Sequence, residues 1–177
     1  MTEPPAEILR RLRPIPTSEG PPRTRPCDIV GVTPKGVPCR VEVVGAAAPV
    51  MVLFLSADCI GCQDLWEGLG QLQAGLGDAA GLAVVTRSAE EEPRDPPRRG
   101  VQGRGARAKA EDAVAVAALA RHAPAGVEVV MSSEAFEQYR VAGAPFLVVV
   151  GPESVRTESV AWGVEQTLQT ALRALHE

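Results

Sequence analysis

An unbroken apolar run, Val50 to Leu55, is followed three residues later by Cys59-Ile60-Gly61-Cys62, and from Cys62 onward the apolar residues change their spacing. A short run without polar side chains is the pattern of a strand buried on both faces. Leu65, Trp66, Leu69, Leu72 and Leu76 then recur at three- and four-residue steps, which is one face of a helix. The two cysteines therefore stand at a strand-to-helix junction. Buried free cysteines are common small hydrophobes, but that placement is hard to attribute to chance.

Junction chemistry favours a dithiol over a metal site. Structural zinc requires four ligands, usually with a second closely spaced pair. The remaining candidates, Cys27, Cys39, His122 and His176, form no second pair with two-residue spacing, so no metal is expected. With Asp58 or Cys59 as helix cap, the Cys59 sulfur stands beside the unpaired N–H groups of the first turn, whose positive end favours a thiolate. Asp58 partly opposes this, because a neighbouring carboxylate disfavours negative charge. Cys62 lies one turn further in, on the same side and better shielded. One sulfur attacks a disulfide and the second resolves the mixed disulfide.

The flanking sequence reads as alternating strands and helices. Two β-branched runs flank Thr33-Pro34-Lys35-Gly36 in "CDIVGVTPKGVPCRVEVVG", which predicts a β-hairpin. "GLAVVTRS" and "GVEVVMS" read as strands, "AEDAVAVAALARHA" and "SEAFEQYRV" as helices, and "PFLVVVG" with "VRTESVAWG" as a second hairpin around "PES". The final helix carries Val164, Leu168, Ala171, Leu172 and Leu175 on one face. Such alternation implies a sheet flanked by helices.

Two segments break the pattern. Residues 1–26 contain seven prolines and five arginines and leave room only for a short helix, "AEILRRLR", so they read as a linker. Residues 88–110 hold three consecutive acids followed by six basic residues among Pro and Gly, and read as a flexible loop. The remainder, 27–177, is expected to be one domain. A net charge of −4 gives no argument for nucleic acid as a partner. With no Asn and only two Lys, the composition is skewed, which weakens any meaning of clustered arginine. No apolar stretch approaches the ~20 residues of a membrane span, and the N-terminus lacks the apolar core of a secretory signal. A cytoplasmic location is expected, with membrane attachment only through an anchor removed from the N-terminus.

The strand, "CIGC", the amphipathic helix and the later "VAGAPFLVVVG" resemble the thioredoxin superfamily. The preceding hairpin is similar to that of TlpA-like redoxins, including accessory redoxins of the methylamine-dehydrogenase type. The resemblance covers residues 28–177. It implies a thioredoxin-like α/β fold, with a central mixed β-sheet flanked by helices and an N-terminal β-hairpin extension. It also implies thiol–disulfide exchange with a protein or peptide substrate and an electron donor or acceptor, without cofactor. Cys59 and Cys62 are then the catalytic pair. Pro145 matches the family's cis-proline facing the cysteines, and Ala144 before it offers backbone groups to an extended substrate. The alternative is that Pro145 merely starts a strand.

Several positions depart from the family. Asp58 replaces a frequent aromatic residue, and Leu53 stands where thioredoxins proper carry a buried acid. Glu42 is a weak substitute and is expected to be a solvated strand residue. A thioredoxin-fold binding module with vestigial chemistry is therefore a second reading. A thiol peroxidase is a third, prompted by "SADC", but Val52 occupies the position where that pattern requires proline. Trp66 is expected in the core; Trp162 fits either the core or a substrate platform. Cys27 and Cys39 bracket the first hairpin, either paired or as thiols.

Overall fold

The structure, a computed structural model, describes residues 24–88 and 113–176. The expected helix in "AEILRRLR", nearly all of the 88–110 loop and the acidic start of the following helix lie outside the described residues. Seven strands are formed: β1 (Ile29–Val32), β2 (Pro38–Val41), β3 (Val50–Phe54), β4 (Gly81–Thr86), β5 (Glu128–Met131), β6 (Phe146–Val150) and β7 (Val155–Val160). Helices α1 (Ile60–Glu67) and α2 (Leu69–Leu76) follow β3, and α3 (Ala113–Leu119) precedes β5. Helix α4 (Ser133–Gln138) joins β5 to β6, and α5 (Val164–His176) ends the domain.

The strands make one mixed sheet in the order β2-β1-β5-β4-β3-β6-β7. Parallel pairing joins β3 to β4 and β4 to β5, while β6 runs antiparallel to both β3 and β7. Both expected hairpins form. In the first, Gly36 at φ +78° donates its N–H to Thr33 O at 2.8 Å, a turn that suits a residue without Cβ. That hairpin extends the sheet through a single β1–β5 register pair, Val32 opposite Met131.

Every residue of β3 is buried, as its unbroken apolar run requires. Met51 and Leu53 face one core with Leu65, Trp66, Leu69, Leu72 and Leu76. Val50, Val52 and Phe54 face the other, with Ile29, Phe136 and Tyr139. There the Phe54 and Phe136 rings meet edge to face, 4.9 Å apart.

The single helix expected after Cys62 is instead two, α1 and α2, meeting at Gly68. A Cβ placed on Gly68 would lie 2.1 Å from Val164 Cγ2 on α5, so this glycine permits the two backbones to approach. Breaking the helix costs little. A glycine in a helix loses ~1 kcal/mol relative to Ala, whereas each large buried side chain contributes about 1.5–3 kcal/mol. All five predicted apolar residues remain buried across the break. The expected face of α5 packs against the same core. Ala171, Thr167 and Ala174 are its buried residues, whereas Val164, Leu168, Leu172 and Leu175 are partly buried around them.

Residues 24–28 anchor the start of the domain. The Thr24 hydroxyl donates to Glu158 on β7, and the Tyr139 hydroxyl donates to Cys27 O at 2.6 Å. Asp28 accepts from Val43 N at 2.7 Å and Val44 N at 2.9 Å, and pairs with Arg40. These bonds, led by that from Val43, hold its carboxyl down to about 2.

Two outcomes follow from this packing. Gly68→Ala should destabilise the domain by about 1–3 kcal/mol, read from urea midpoints, because the β-branched Val164 has little rotamer freedom in a helix. Asp28 stabilises the fold fully above its unfolded value near 4, and that contribution disappears as pH falls through about 2. Asp28→Asn should therefore be less stable than wild type at pH 7, with the difference in urea midpoint narrowing as pH approaches 2.

Candidate functional site

The site is built where β3 leaves the sheet. Phe54 pairs with Phe146, so the chain emerging from β3 lies beside the chain entering β6. Across that junction Cys59 Sγ sits 3.8 Å from Ala144 O. The Ala144–Pro145 peptide bond is cis. A Cβ on Gly61 would meet Pro145 Cγ and Cδ at 3.8 Å and Cys59 Sγ at 3.9 Å. Pro145 thus faces the Cys-x-x-Cys turn. The structure brings together Cys59, Cys62, Ala144 and Pro145.

The two thiols have different surroundings. Cys59 is the N-cap of the eight-residue α1, with extended backbone and a partly exposed side chain. Its carbonyl accepts from Cys62 N at 3.0 Å, closing the first turn. That end of the helix carries the positive pole of the peptide dipoles. Cys62 is fully buried, and its sulfur accepts from Ser56 N at 3.4 Å. Asp58 is exposed and accepts from the Ser56 hydroxyl at 2.5 Å.

Ser56 is the contributor that sequence reasoning missed. Besides its bond to Cys62, its carbonyl accepts from Trp66 Nε1 at 3.3 Å. Trp66 is fully buried, as expected, and so fastens the loop before the cysteines to the helix after them. Both bonds use the Ser56 backbone, and side-chain identity carries no signal for them.

Leu53, where thioredoxins proper carry a buried acid, lies wholly in the core. Among the described residues the buried polar side chains are Thr86, Ser132 and Thr167, none of them a carboxylate. Glu42 is exposed, in keeping with a solvated residue. Among the described residues, no three His, Cys, Asp or Glu side chains gather as a metal site. His122 closes the turn after α3, and His176 ends α5.

Cys27 and Cys39 lie apart from this site. Cys39 pairs with Gly31, four residues beyond Cys27, a separation of roughly 13 Å along a strand. Disulfides need Cα atoms within about 7 Å, so these two do not pair; all four cysteines are thiols. Burial pushes the Cys27 thiol up, and burial followed by the Glu128 charge does the same to Cys39.

No protein-family model matches the chain, and no curated protein matches it. Solved structures do. The thioredoxin domain of a thiol-disulfide oxidoreductase from Bacteroides vulgatus superposes with a TM-score of 0.59 at 15% identity, covering 88% of this chain and 98% of that one. A thioredoxin-like protein from Aeropyrum pernix gives 0.57 at 14% identity, covering 83% and 89%. A secreted Mycobacterium tuberculosis disulfide oxidoreductase homologous to E. coli DsbE gives 0.56 at 13%, covering 84% and 96%. The fold is thioredoxin-like, with the mixed sheet, flanking helices and opening hairpin expected from the sequence. Among the described residues no helix is long and apolar enough to cross a membrane.

These environments order the thiols by reactivity. Limited alkylation of the reduced protein at pH 7 should label Cys59 first. Cys62 is shielded by burial, and Cys27 and Cys39 should lag until the pH passes the ordinary thiol range. Peptide mapping by mass spectrometry reads the order, and earlier labelling of Cys27 or Cys39 would contradict it.

Proposed function

We propose that this protein exchanges disulfides with an extended protein or peptide segment through Cys59 and Cys62. The observation that carries the reading is the contact between Cys59 Sγ and Ala144 O at 3.8 Å, with Cys62 buried one turn behind. A sulfur partly open to solvent at a helix N-cap, beside the backbone at Ala144, meets the demands of attack on a bound disulfide. The solved structures from Bacteroides vulgatus and Mycobacterium tuberculosis are described as oxidoreductases of this chemistry, which supports the same reading here.

In the reductive direction the Cys59 thiolate attacks one sulfur of the substrate disulfide. The Cys59–substrate disulfide forms, the substrate S–S bond breaks, and the leaving thiolate takes a proton from water. Cys62 then gives its proton to solvent, balancing the proton taken up by the leaving thiolate, and attacks the Cys59 sulfur, displacing the second substrate thiolate. Two electrons have passed to the substrate, and Cys59 and Cys62 are left as a disulfide. A partner dithiol returns the pair to its starting state, and a partner disulfide drives the same steps in reverse. Ser56 N–H, directed at the Cys62 sulfur, supports negative charge there during the second step. Ala144 and Pro145 form the wall against which the substrate backbone lies.

The division of labour is testable by trapping. Cys62→Ser should accumulate a mixed disulfide through Cys59 with a disulfide-containing peptide, visible as a peptide-sized mass increase that dithiothreitol removes. Cys59→Ser should accumulate none, because the Cys62 sulfur is buried. Trapping by both variants would undo the assignment of roles.

A further inference from the structure

Eight large apolar side chains are exposed among the described residues; one of them follows Cys59 directly and another lies on the segment bonded to Pro145. Val30, Val32, Val37 and Val44 belong to the hairpin region, Val114 to α3, and Val160 to the end of β7 opposite Phe146. Ile60, immediately after Cys59, is 85% exposed, and Trp162 is 56% exposed. Trp162 is tied to the site through its neighbour: Ala161 N donates to Pro145 O at 3.2 Å, and Pro145 faces Gly61 and Cys59. An indole is thus presented on the segment next to Pro145, while an isoleucine projects from the Cys-x-x-Cys turn. Neither side chain contributes to the core.

We infer that Ile60 and Trp162 form the two sides of an apolar subsite, which selects disulfides flanked by a large apolar residue in an extended polypeptide. This rests on the exchange reading above and names the substrate class for the same site. The reaction fixes what occupies the subsite, because a disulfide sulfur must reach Cys59 along the Ala144–Pro145 backbone. The residues next to that half-cystine then lie over Ile60 and Trp162. A polar or charged neighbour would lose water there and find at most the single indole N–H as a partner. An aromatic or aliphatic neighbour instead covers apolar surface on both, and tryptophan in particular concentrates binding energy at contacts.

Two synthetic peptides, each closed by one intramolecular disulfide and differing only in Phe or Ser beside the attacked cysteine, test this. In single turnovers with the full, reduced chain, the Phe peptide should react about tenfold faster, a difference of about 1.4 kcal/mol. Trp162→Ser and Ile60→Ser should each reduce that ratio at least about threefold, whereas Val37→Ser, an exposed valine on the hairpin, should preserve it. Trapping the Phe peptide on Cys62→Ser should also shift Trp162 emission to the blue, and trapping the Ser peptide should not. A ratio unchanged in both subsite variants overturns the subsite and leaves the exchange reading standing. Absence of exchange with either peptide overturns the exchange reading and, with it, this inference.

Discussion

The antiparallel register of β3 against β6 decides whether the Cys59 sulfur and the Ala144–Pro145 backbone meet. With Phe54 opposite Phe146, the last turn before β6 lies beside the chain leaving β3, and Ala144 O comes within 3.8 Å of the Cys59 sulfur. Moving the register by one residue would send every side chain of β6 to the opposite face. Leu147 and Val149 would then leave the core they share with Trp66, and Val148 and Val150 the core they share with Phe54. Two packed cores therefore enforce the alignment of a few backbone atoms at the end of the sheet. The chemistry is positioned by burial that lies almost entirely elsewhere.

Packing also sets the boundary between the two thiols. Trp66 holds Ser56 through its carbonyl, and Ser56 holds the Cys62 sulfur through its N–H. A buried indole one turn after the second cysteine thus stiffens the loop before the first. The loop carries Cys59 outward while the helix carries Cys62 inward, so chemically identical groups differ in depth and in access to solvent. Gly68 completes the arrangement by admitting α5 against α1 and α2.

Much of this was legible in the chain because it is written in local patterns. Val50–Phe54 is apolar without interruption because both its faces are covered, and the hairpins announce themselves through Thr33–Gly36 and Pro152–Ser154. Cys59 and Cys62 are visible from their spacing, and Ala144 and Pro145 through resemblance. The break at Gly68 was hidden, since the Val164 side chain that the glycine admits lies nearly a hundred residues away. On α5 the expected Ala171 is buried and Val164, Leu168, Leu172 and Leu175 pack against the core, whereas Thr167 and Ala174, also buried, lie outside the expected set. The separation of Cys27 from Cys39 depends on strand register, and the exposure of Trp162 on the end of β7; neither is a property of adjacent residues.

The path of residues 24–28 has a mechanical consequence. Thr24 is fastened to Glu158 on β7, Cys27 to Tyr139 at the end of α4, and only then does the chain enter β1 on the other side of the sheet. Tension applied ahead of Thr24 therefore does not reach the β1–β2 hairpin directly. It is taken first by the β7 edge and then by an aromatic hydroxyl seated in the second core. A strand pulled from its end unzips one hydrogen bond at a time, whereas this crossing strap divides the load between distant parts of the sheet. The hairpin is joined to β5 through a single register pair, and the strap takes load before it does.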